Sequence, residues 1–304
     1  MRKVKNKLET LLLKGKAVSD AIGSSLVPRI KTLKAIDIVP KLAAIIIGED
    51  PASEVYVRNK AHAFEKLNCK SQTFQLESDS DEQKILTLID MLNQDDNVHG
   101  ILVQLPLPSH LDSKKILHRV SPTKDVDGFH PKNLGLLLEG NPNFIPCTPH
   151  GILKILKFYN IPVSGRHAVI VGRSNIVGKP MFALLSQKLE MGNATVTICH
   201  TGTKDLIFHT KQADIIIAAA GSPNMITGAM IKEGVDVIDV GINRVDNDSE
   251  KGYKLVGDVD TESVMGIANS VTPVPGGVGP MTITMLLYNT VIAAEKCKKL
   301  EVVV

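Results

Sequence analysis

Apolar strand-like runs alternate with amphipathic helical stretches along the whole 304-residue chain, which predicts an α/β protein with parallel sheets covered by helices. Two further observations divide that pattern. Residues 140–149, Gly-Asn-Pro-Asn-Phe-Ile-Pro-Cys-Thr-Pro, interrupt it with three prolines and two asparagines, the composition of an interdomain connection. Beyond the break, the apolar run His167–Val171 passes through Gly172-Arg173-Ser174-Asn175-Ile176-Val177-Gly178 into a helical pattern. Strand, glycine turn and helix in that order place backbone N–H groups and a helix N-terminus against a phosphate, as in a Rossmann-type lobe, although the same turn also serves as a plain tight βα connection. Only the first and last glycines of the turn are present, so the motif is not a full G-x-G-x-x-G. Arg173, a fixed cation beside the first glycine, suits a phosphate better than it suits packing. The expected domains are residues 1–148, completed by 280–304, and residues 149–279.

The elements follow in order. Helical periodicity covers 17–34, Leu42–Ile47 is a continuous apolar strand, 53–67 is helical with Asp50 as N-cap and Pro51 as its first residue, and 71–76 alternates as a strand. A helix at 81–94 precedes the short strand Gly100–Val103, which Gln104-Leu105-Pro106-Leu107-Pro108 terminates. Helices at 111–120 and 132–139 complete the first series. The second series runs helix 150–159, strand 167–171, helix 178–190, strand 194–199, helix 203–211, and strands 214–219 and 235–240. From Gly241 to about residue 258 the chain is polar and turn-rich, and no element is expected. The loop Thr272–Pro280 precedes a last amphipathic helix, 281–299, expected to return to the first lobe.

Composition excludes several classes. A net charge of +3, with 4% aromatic residues and no Trp, provides neither the basic field nor the stacking platforms of a nucleic-acid binder. The four cysteines, Cys69, Cys147, Cys199 and Cys297, are scattered without a C-x-x-C pair, so neither a metal site nor a disulfide framework is expected. Reduced thiols point to the cytoplasm. No run reaches membrane-spanning length. The basic start, Met1 to Lys7, reads as a helix start rather than a targeting arm.

Five groups of residues can carry chemistry. Tyr56 and Lys60, four apart, share a helix face. A partly desolvated lysine can lose its proton near neutrality and act as a general base, although the same spacing suits a surface lysine beside a half-buried tyrosine. Tyr-x-x-x-Lys also occurs in short-chain dehydrogenases, but there it follows the dinucleotide turn, whereas here it precedes it by more than 100 residues. Gln104 stands at the carboxyl end of a parallel strand, where open α/β sheets bind ligands. Asp125 and Asp127, if extended, share a face, and either could grip an N–H pair on a heterocycle; the spacing does not choose between them. Pro273–Pro280 forms a stiff wall of glycine and proline suited to a flat ligand. Cys199-His200-Thr201, at the end of the strand after the glycine turn, lacks the acid that commonly holds an NAD ribose; Thr201 with Arg173 suits a 2′-phosphate and favours NADP. His200 is read as a core or cap residue.

Together these stretches resemble the bifunctional methylenetetrahydrofolate dehydrogenase/methenyltetrahydrofolate cyclohydrolase family. The resemblance rests on Asp50–Ser53 with Tyr56 and Lys60, Gly100–Pro106, Lys124–Phe129, Pro146–Pro149, Gly172–Pro180 and Thr272–Thr282, in family order across nearly the whole chain. It implies a catalytic lobe and an NADP lobe with a cleft between them, a homodimer, and tetrahydrofolate derivatives as substrates. The two implied reactions are oxidation of methylenetetrahydrofolate by NADP and hydrolysis of the methenyl product to 10-formyltetrahydrofolate. It also implies residue roles. Lys60 is the key hydrolytic residue, Gln104 tunes its protonation, Tyr56 stacks on the folate and Asp127 grips the pteridine. Gly172, Arg173, Ser174, Gly178 and Thr201 bind the phosphate and ribose side of NADP. The backbone at Ile242 holds the nicotinamide carboxamide, and Pro275, Gly276 and Gly277 line the folate pocket. Thr201 stands where family members commonly carry Ser or Arg, which keeps a hydroxyl. The chain is too short to include the large ligase domain of some relatives. A monofunctional NAD-linked dehydrogenase and a non-catalytic NADP-binding module are the competing readings; intact Lys60, Gln104, Tyr56 and Asp127 weigh against both.

Overall fold

The computed structural model describes residues 9–49, 51–247 and 252–297, with only the backbone of 51–56. The elements are β1 Leu11–Leu12, α1 Gly15–Lys34, β2 Lys41–Ile47, α2 Pro51–Lys66, β3 Lys70–Leu76, α3 Glu82–Gln94, β4 Gly100–Val103, α4 Ser113–Arg119, α5 Pro131–Glu139 and α6 Cys147–Phe158. They continue with β5 His167–Val171, α7 Gly178–Ser186, β6 Thr195–Cys199, α8 Leu206–Thr210, β7 Ile215–Ala218, β8 Asp236–Asp239, β9 Asn243–Asp246, β10 Tyr253–Val256, α9 Thr261–Val264, β11 Ser270–Val271 and α10 Val278–Cys297. Two compact units result: described residues 20–147 and 283–297 form one, and 9–19 and 148–282 the other.

The first unit is built on a parallel sheet of order β3-β2-β4. Its central strand β2 explains why the sequence reads there as an unbroken apolar run. Leu42, Ala44 and Ile46 face a cluster with Leu26 and Leu33 of α1 and Met285 and Leu287 of α10. Ala43, Ile45 and Ile47 face the opposite cluster, with Ile85 and Ile89 of α3 and Ile116 of α4. Alternate side chains thus meet different helical layers, and both faces are buried. Each buried branched aliphatic contributes about 1.5–3 kcal/mol of transfer free energy. Arg29 of α1 donates to both carboxylate oxygens of Glu295 on α10, at 2.8 and 2.6 Å, and stacks 5.1 Å from the Tyr288 ring centre. The last helix therefore packs on the first lobe, as predicted.

The second unit carries a six-stranded sheet of order β1-β11-β8-β7-β5-β6, every pairing parallel. One face buries Val169, Val171, Ile216, Ala218 and Val237.

Several expectations need correction. Residues 9–19 were expected in the first lobe, but they lie with the six-stranded unit, because Leu11 and Leu12 add as an edge strand opposite Ser270 and Val271. A two-residue strand has no periodicity to read. Thr148 and residues 280–282, also expected in the first lobe, lie with that unit as well. The polar stretch after Gly241 contains an antiparallel hairpin, β9 against β10, pairing Asn243 with Val256. Its strands bury no full face, so the apolar signal is missing. Helix α7 ends at Ser186, short of the expected 190. Asp50 as an N-cap lies outside the described residues. Among the described residues, no helix is long and apolar enough to cross a membrane, and no group of His, Cys, Asp and Glu is arranged to hold a metal.

Candidate active site

In the three-stranded sheet, β2 sits between β3 and β4, so the chain reverses its lateral direction between β2 and β4. Ligand crevices in open α/β sheets form at the strand carboxyl ends of such a switch point. Gln104 lies there: its amide donates to Ile45 O at 2.9 Å, extending the ladder one residue past β4. Its side-chain Nε2 donates to Leu105 O at 2.7 Å, which turns Oε1 toward α2, where it accepts from Lys60 Nζ at 2.9 Å. Burial pushes the Lys60 ammonium below its ordinary pKa, while nearby Asp127 and Cys147 pull it back up. Desolvation raises the Asp127 carboxyl; Lys60 opposes that shift, Asp125 adds to it and the Cys147 thiol opposes it. The buried Cys147 thiol donates to Val126 O at 3.4 Å and is raised well above its usual range, chiefly by burial and then by Asp127. Lysine and carboxyl are both biased toward their neutral forms, the state in which an amine can accept a proton.

The segment Lys124–Phe129 is a turn rather than an extended strand, so Asp125 and Asp127 do not share a face by alternation. Ile101 N donates to Lys124 O at 2.8 Å, docking the turn on the edge of β4. Asp125 then accepts from Phe129 N at 3.2 Å, His130 N at 2.8 Å and Asn133 Nδ2 at 2.8 Å. Those local bonds occupy Asp125 and leave Asp127 as the carboxyl beside Lys60. Asn289 of α10 donates to Val126 O at 2.8 Å and Ile145 O at 2.9 Å, holding the turn and the start of α6 together. Tyr56 belongs to α2, one turn before Lys60, but its side chain lies outside the described residues.

The six-stranded sheet has its own switch point, since β5 sits between β6 and β7. The glycine turn leaves β5 there. Gly172 N donates to Cys199 O at 2.9 Å, and its φ of 131° is open only to glycine. A Cβ on Gly172 would press into the Ala219 carbonyl, and one on Gly178 into the Gly172 carbonyl. Ser174 Oγ accepts from Val177 N at 3.0 Å and Ser174 O from Lys179 N at 3.0 Å, so this serine shapes the turn. Arg173 is exposed on the turn, and Thr201 is exposed after β6. His200 caps its own turn, its Nδ1 accepting from Gly202 N at 3.0 Å. Ile242, 45% exposed, follows β8 and faces Gly279, where a Cβ would come 3.6 Å from Ile242 Cδ1. Gly276, with φ of 108°, accepts from Gly15 N at 2.9 Å, so the residues after β1 brace the Pro275–Gly277 loop. A backbone cradle that any Cβ would fill, an exposed guanidinium and a hydroxyl in place of an acid fit a phosphorylated dinucleotide.

The description "tetrahydrofolate dehydrogenase/cyclohydrolase, catalytic domain" matches residues 13–127, and its "NAD(P)-binding domain" matches residues 146–298. The chain belongs to the tetrahydrofolate dehydrogenase/cyclohydrolase family. It is 50% identical over 293 residues to the bifunctional protein FolD of Natronomonas pharaonis, covering 96% of this chain and 99% of that protein. The bifunctional FolD structure from Campylobacter jejuni matches with a TM-score of 0.88 at 50% identity, covering 94% of this chain and 99% of that one. The Trypanosoma brucei FolD structure, complexed with NADP cofactor and inhibitor, matches with a TM-score of 0.89 at 35% identity, covering 95% and 98%.

Within this family fold, Lys60, Gln104 and Asp127 come together at one switch point, and Gly172, Arg173, Ser174 and Gly178 at the other. Cys147 has no legible role in the sequence, because a lone cysteine between prolines carries no chemical signal until Asp127 is beside it. Asp239 and Asp258 are equally silent there, because their contacts come from loops far apart in the chain.

Proposed function

We propose that the three-stranded unit is the folate lobe and the six-stranded unit the NADP lobe of a bifunctional enzyme. The chain oxidises 5,10-methylenetetrahydrofolate to the 5,10-methenyl cation with NADP, then hydrolyses that cation to 10-formyltetrahydrofolate. Bound NADP supplies the acceptor for the hydride. Gly172, Gly178 and the hydroxyl of Ser174 form the backbone turn that takes its phosphates, Arg173 and Thr201 serve the 2′-phosphate, and the backbone at Ile242 holds the carboxamide. Pro275, Gly276 and Gly277 give the folate a side-chain-poor wall.

Hydrolysis falls to Lys60. The methenyl ligand is cationic and further disfavours an ammonium nearby. As the neutral amine, Lys60 takes a proton from water while the water oxygen bonds to the methenyl carbon. The remaining hydroxyl proton then passes to N5 as the bond from that carbon to N5 breaks, leaving the formyl group on N10 and an N–H at N5, and Lys60 releases the proton it took to solvent. Gln104 Oε1 holds Nζ in place, Asp127 binds the pteridine N–H groups, and Tyr56 stacks on the ring. The observation that carries this reading is the 2.9 Å bond from desolvated Lys60 to Gln104 beside Asp127. Relatives that are bifunctional at about half identity disfavour the monofunctional NAD-linked alternative. The homodimer, the cytoplasmic location and a supply of formyl groups to purine biosynthesis belong to the same proposal and rest on the family resemblance.

A coupled assay tests it. With methylenetetrahydrofolate and NADP, NADPH forms without accumulation of the methenyl chromophore. Methenyl accumulation would overturn the Lys60 assignment, and preference for NAD would overturn the roles of Arg173 and Thr201.

A further inference from the structure

We infer that Asp239 and Asp258, two buried carboxylates of the six-stranded unit, are the positioning residues that hold its nucleotide-facing loops in their binding shape. The inference rests on the NADP reading of this unit. Neither residue belongs to the glycine turn, and neither reaches the surface: Asp239 is 1% exposed and Asp258 is fully buried at 0%. A charge so placed is retained only where donors replace its water. Here the donors are main-chain amides and one carboxamide.

Asp258 gathers the loop after β7. Its Oδ2 accepts from Ala220 N at 2.6 Å and Gly221 N at 2.8 Å, and its Oδ1 from Ser222 N at 2.9 Å and Asn243 Nδ2 at 2.9 Å. Three successive amides converging on one carboxylate fix the path of that loop. Asp239 gathers the loop after β8 and the chain after β10. Its Oδ1 accepts from Gly241 N at 3.0 Å and Asp258 N at 2.9 Å, and its Oδ2 from Val259 N at 3.0 Å. The Asp239 amide donates to Thr272 Oγ1 at 2.7 Å, and that hydroxyl donates back to Asp239 O at 3.1 Å, immediately before the Pro273–Pro280 loop.

Three segments that border the switch point therefore converge on two side chains, Ala220–Ser222, Gly241–Asn243 and Gly257–Val259, and Thr272 ties to the main chain of Asp239. The first adjoins the nucleotide turn itself, because a Cβ at Gly172 would press into Ala219 O and come 3.5 Å from Ala220 N. The second presents Ile242. Gly257 packs so closely on Asp239 that a Cβ there would overlap the carboxylate. An anchor that serves only stability would not have to sit where loops from β7, β8 and β10 meet beside the turn. A small displacement of such loops acts on ligand alignment before it acts on the fold.

The test compares wild type, Asp258→Asn and Asn243→Ala, the last removing a single donor to Asp258. NADP binding is titrated by calorimetry, and hydrolysis of methenyltetrahydrofolate is assayed without NADP as the internal reference. Asp258→Asn places an NH2 group against amides that need an acceptor, and its NADP dissociation constant should rise on the order of tenfold or more. Asn243→Ala should show a smaller rise, and the hydrolytic rate should be retained in both. An unchanged dissociation constant in folded Asp258→Asn, or an equal loss of binding and hydrolysis, overturns the inference. If Asp258→Asn does not fold, Asn243→Ala decides: weaker NADP binding with hydrolysis retained supports the inference, and unchanged binding overturns it. A wild type that binds NADP but does not oxidise methylenetetrahydrofolate would sink the functional reading and leave this one standing.

Discussion

The two units solve the same geometric problem with different materials. Each places a site at the switch point of a parallel sheet, between β2 and β4 in one and between β5 and β7 in the other. The three-stranded unit fills its switch point with ionisable side chains: Lys60, Asp127 and Cys147, with Gln104 as the neutral partner. The six-stranded unit fills its own with backbone, a turn at Gly172–Gly178 and loops gathered by Asp239 and Asp258. In the first, desolvation sets proton affinity; in the second, the exclusion of side chains sets shape. The two should therefore respond to different mutations: the first to changes of charge at constant volume, the second to the addition of a single methyl group.

Lys60→Met gives the largest expected separation. It keeps the stem and removes the base, so hydrolysis falls by about 10²–10⁴-fold, the range of general-base catalysis, while NADP titration is unchanged. A near-wild-type hydrolytic rate in that variant would erase the distinction between the sites.

Gly172→Ala probes the other side. The methyl group meets the Ala219 carbonyl at a φ of 131°, a strain on the order of 1–3 kcal/mol. NADP affinity should fall about tenfold to a hundredfold, with hydrolysis in the absence of NADP preserved. Calorimetry that found wild-type affinity would show that the turn is not shaped by exclusion.

Gln104→Leu sharpens the electrostatic half. Removing the acceptor of the Lys60 bond takes away support for the ammonium, so the lysine pKa, already lowered by burial, falls further. The acid limb of the hydrolytic pH profile should move to lower pH, and a shift in the opposite direction would contradict the role given to Gln104.

The remaining effect is on stability rather than on activity. Burial pushes the Asp239 carboxyl up to about 6, with the Asp258, Val259 and Gly241 amides opposing the rise and the Asp258 carboxyl adding to it. In the unfolded chain the group titrates near 4. The folded state thus keeps a proton that the unfolded state has lost, and the associated stability is fully present below about pH 4 and lost as pH rises through about 6. Unfolding free energies from denaturant titrations of wild type across this window should decline relative to Asp239→Asn by an amount on the order of 3 kcal/mol.

Much of this molecule is legible in its sequence. The apolar runs at 42–47, 100–103 and 167–171 are strands buried on both faces, and such strands show themselves as unbroken hydrophobic sequence. Gly172 and Gly178 are legible because a backbone cradle has a glycine signature, whereas the spacing around Lys60 and Gln104 leaves their roles open, and only the family resemblance implies them.

Long-range pairing decided the rest. Edge strand β1 is defined only by its partner β11, some 258 residues away in the Thr10 to Ala268 bond that flanks it. The resemblance implies Asp127 rather than Asp125, and the fold supplies the reason: neighbouring amides claim Asp125, while distant elements bring Lys60 and Gln104 together. Cys147 acquires its environment only when α6 starts beside that turn, and Asp258 only when the loops after β7 and β8 close on it. A sequence states which residues prefer strand, helix or turn, because those preferences arise within a few residues of each other. Which buried carboxyl is ringed by donors depends on the amides that folding brings to it, and only the folded chain contains those.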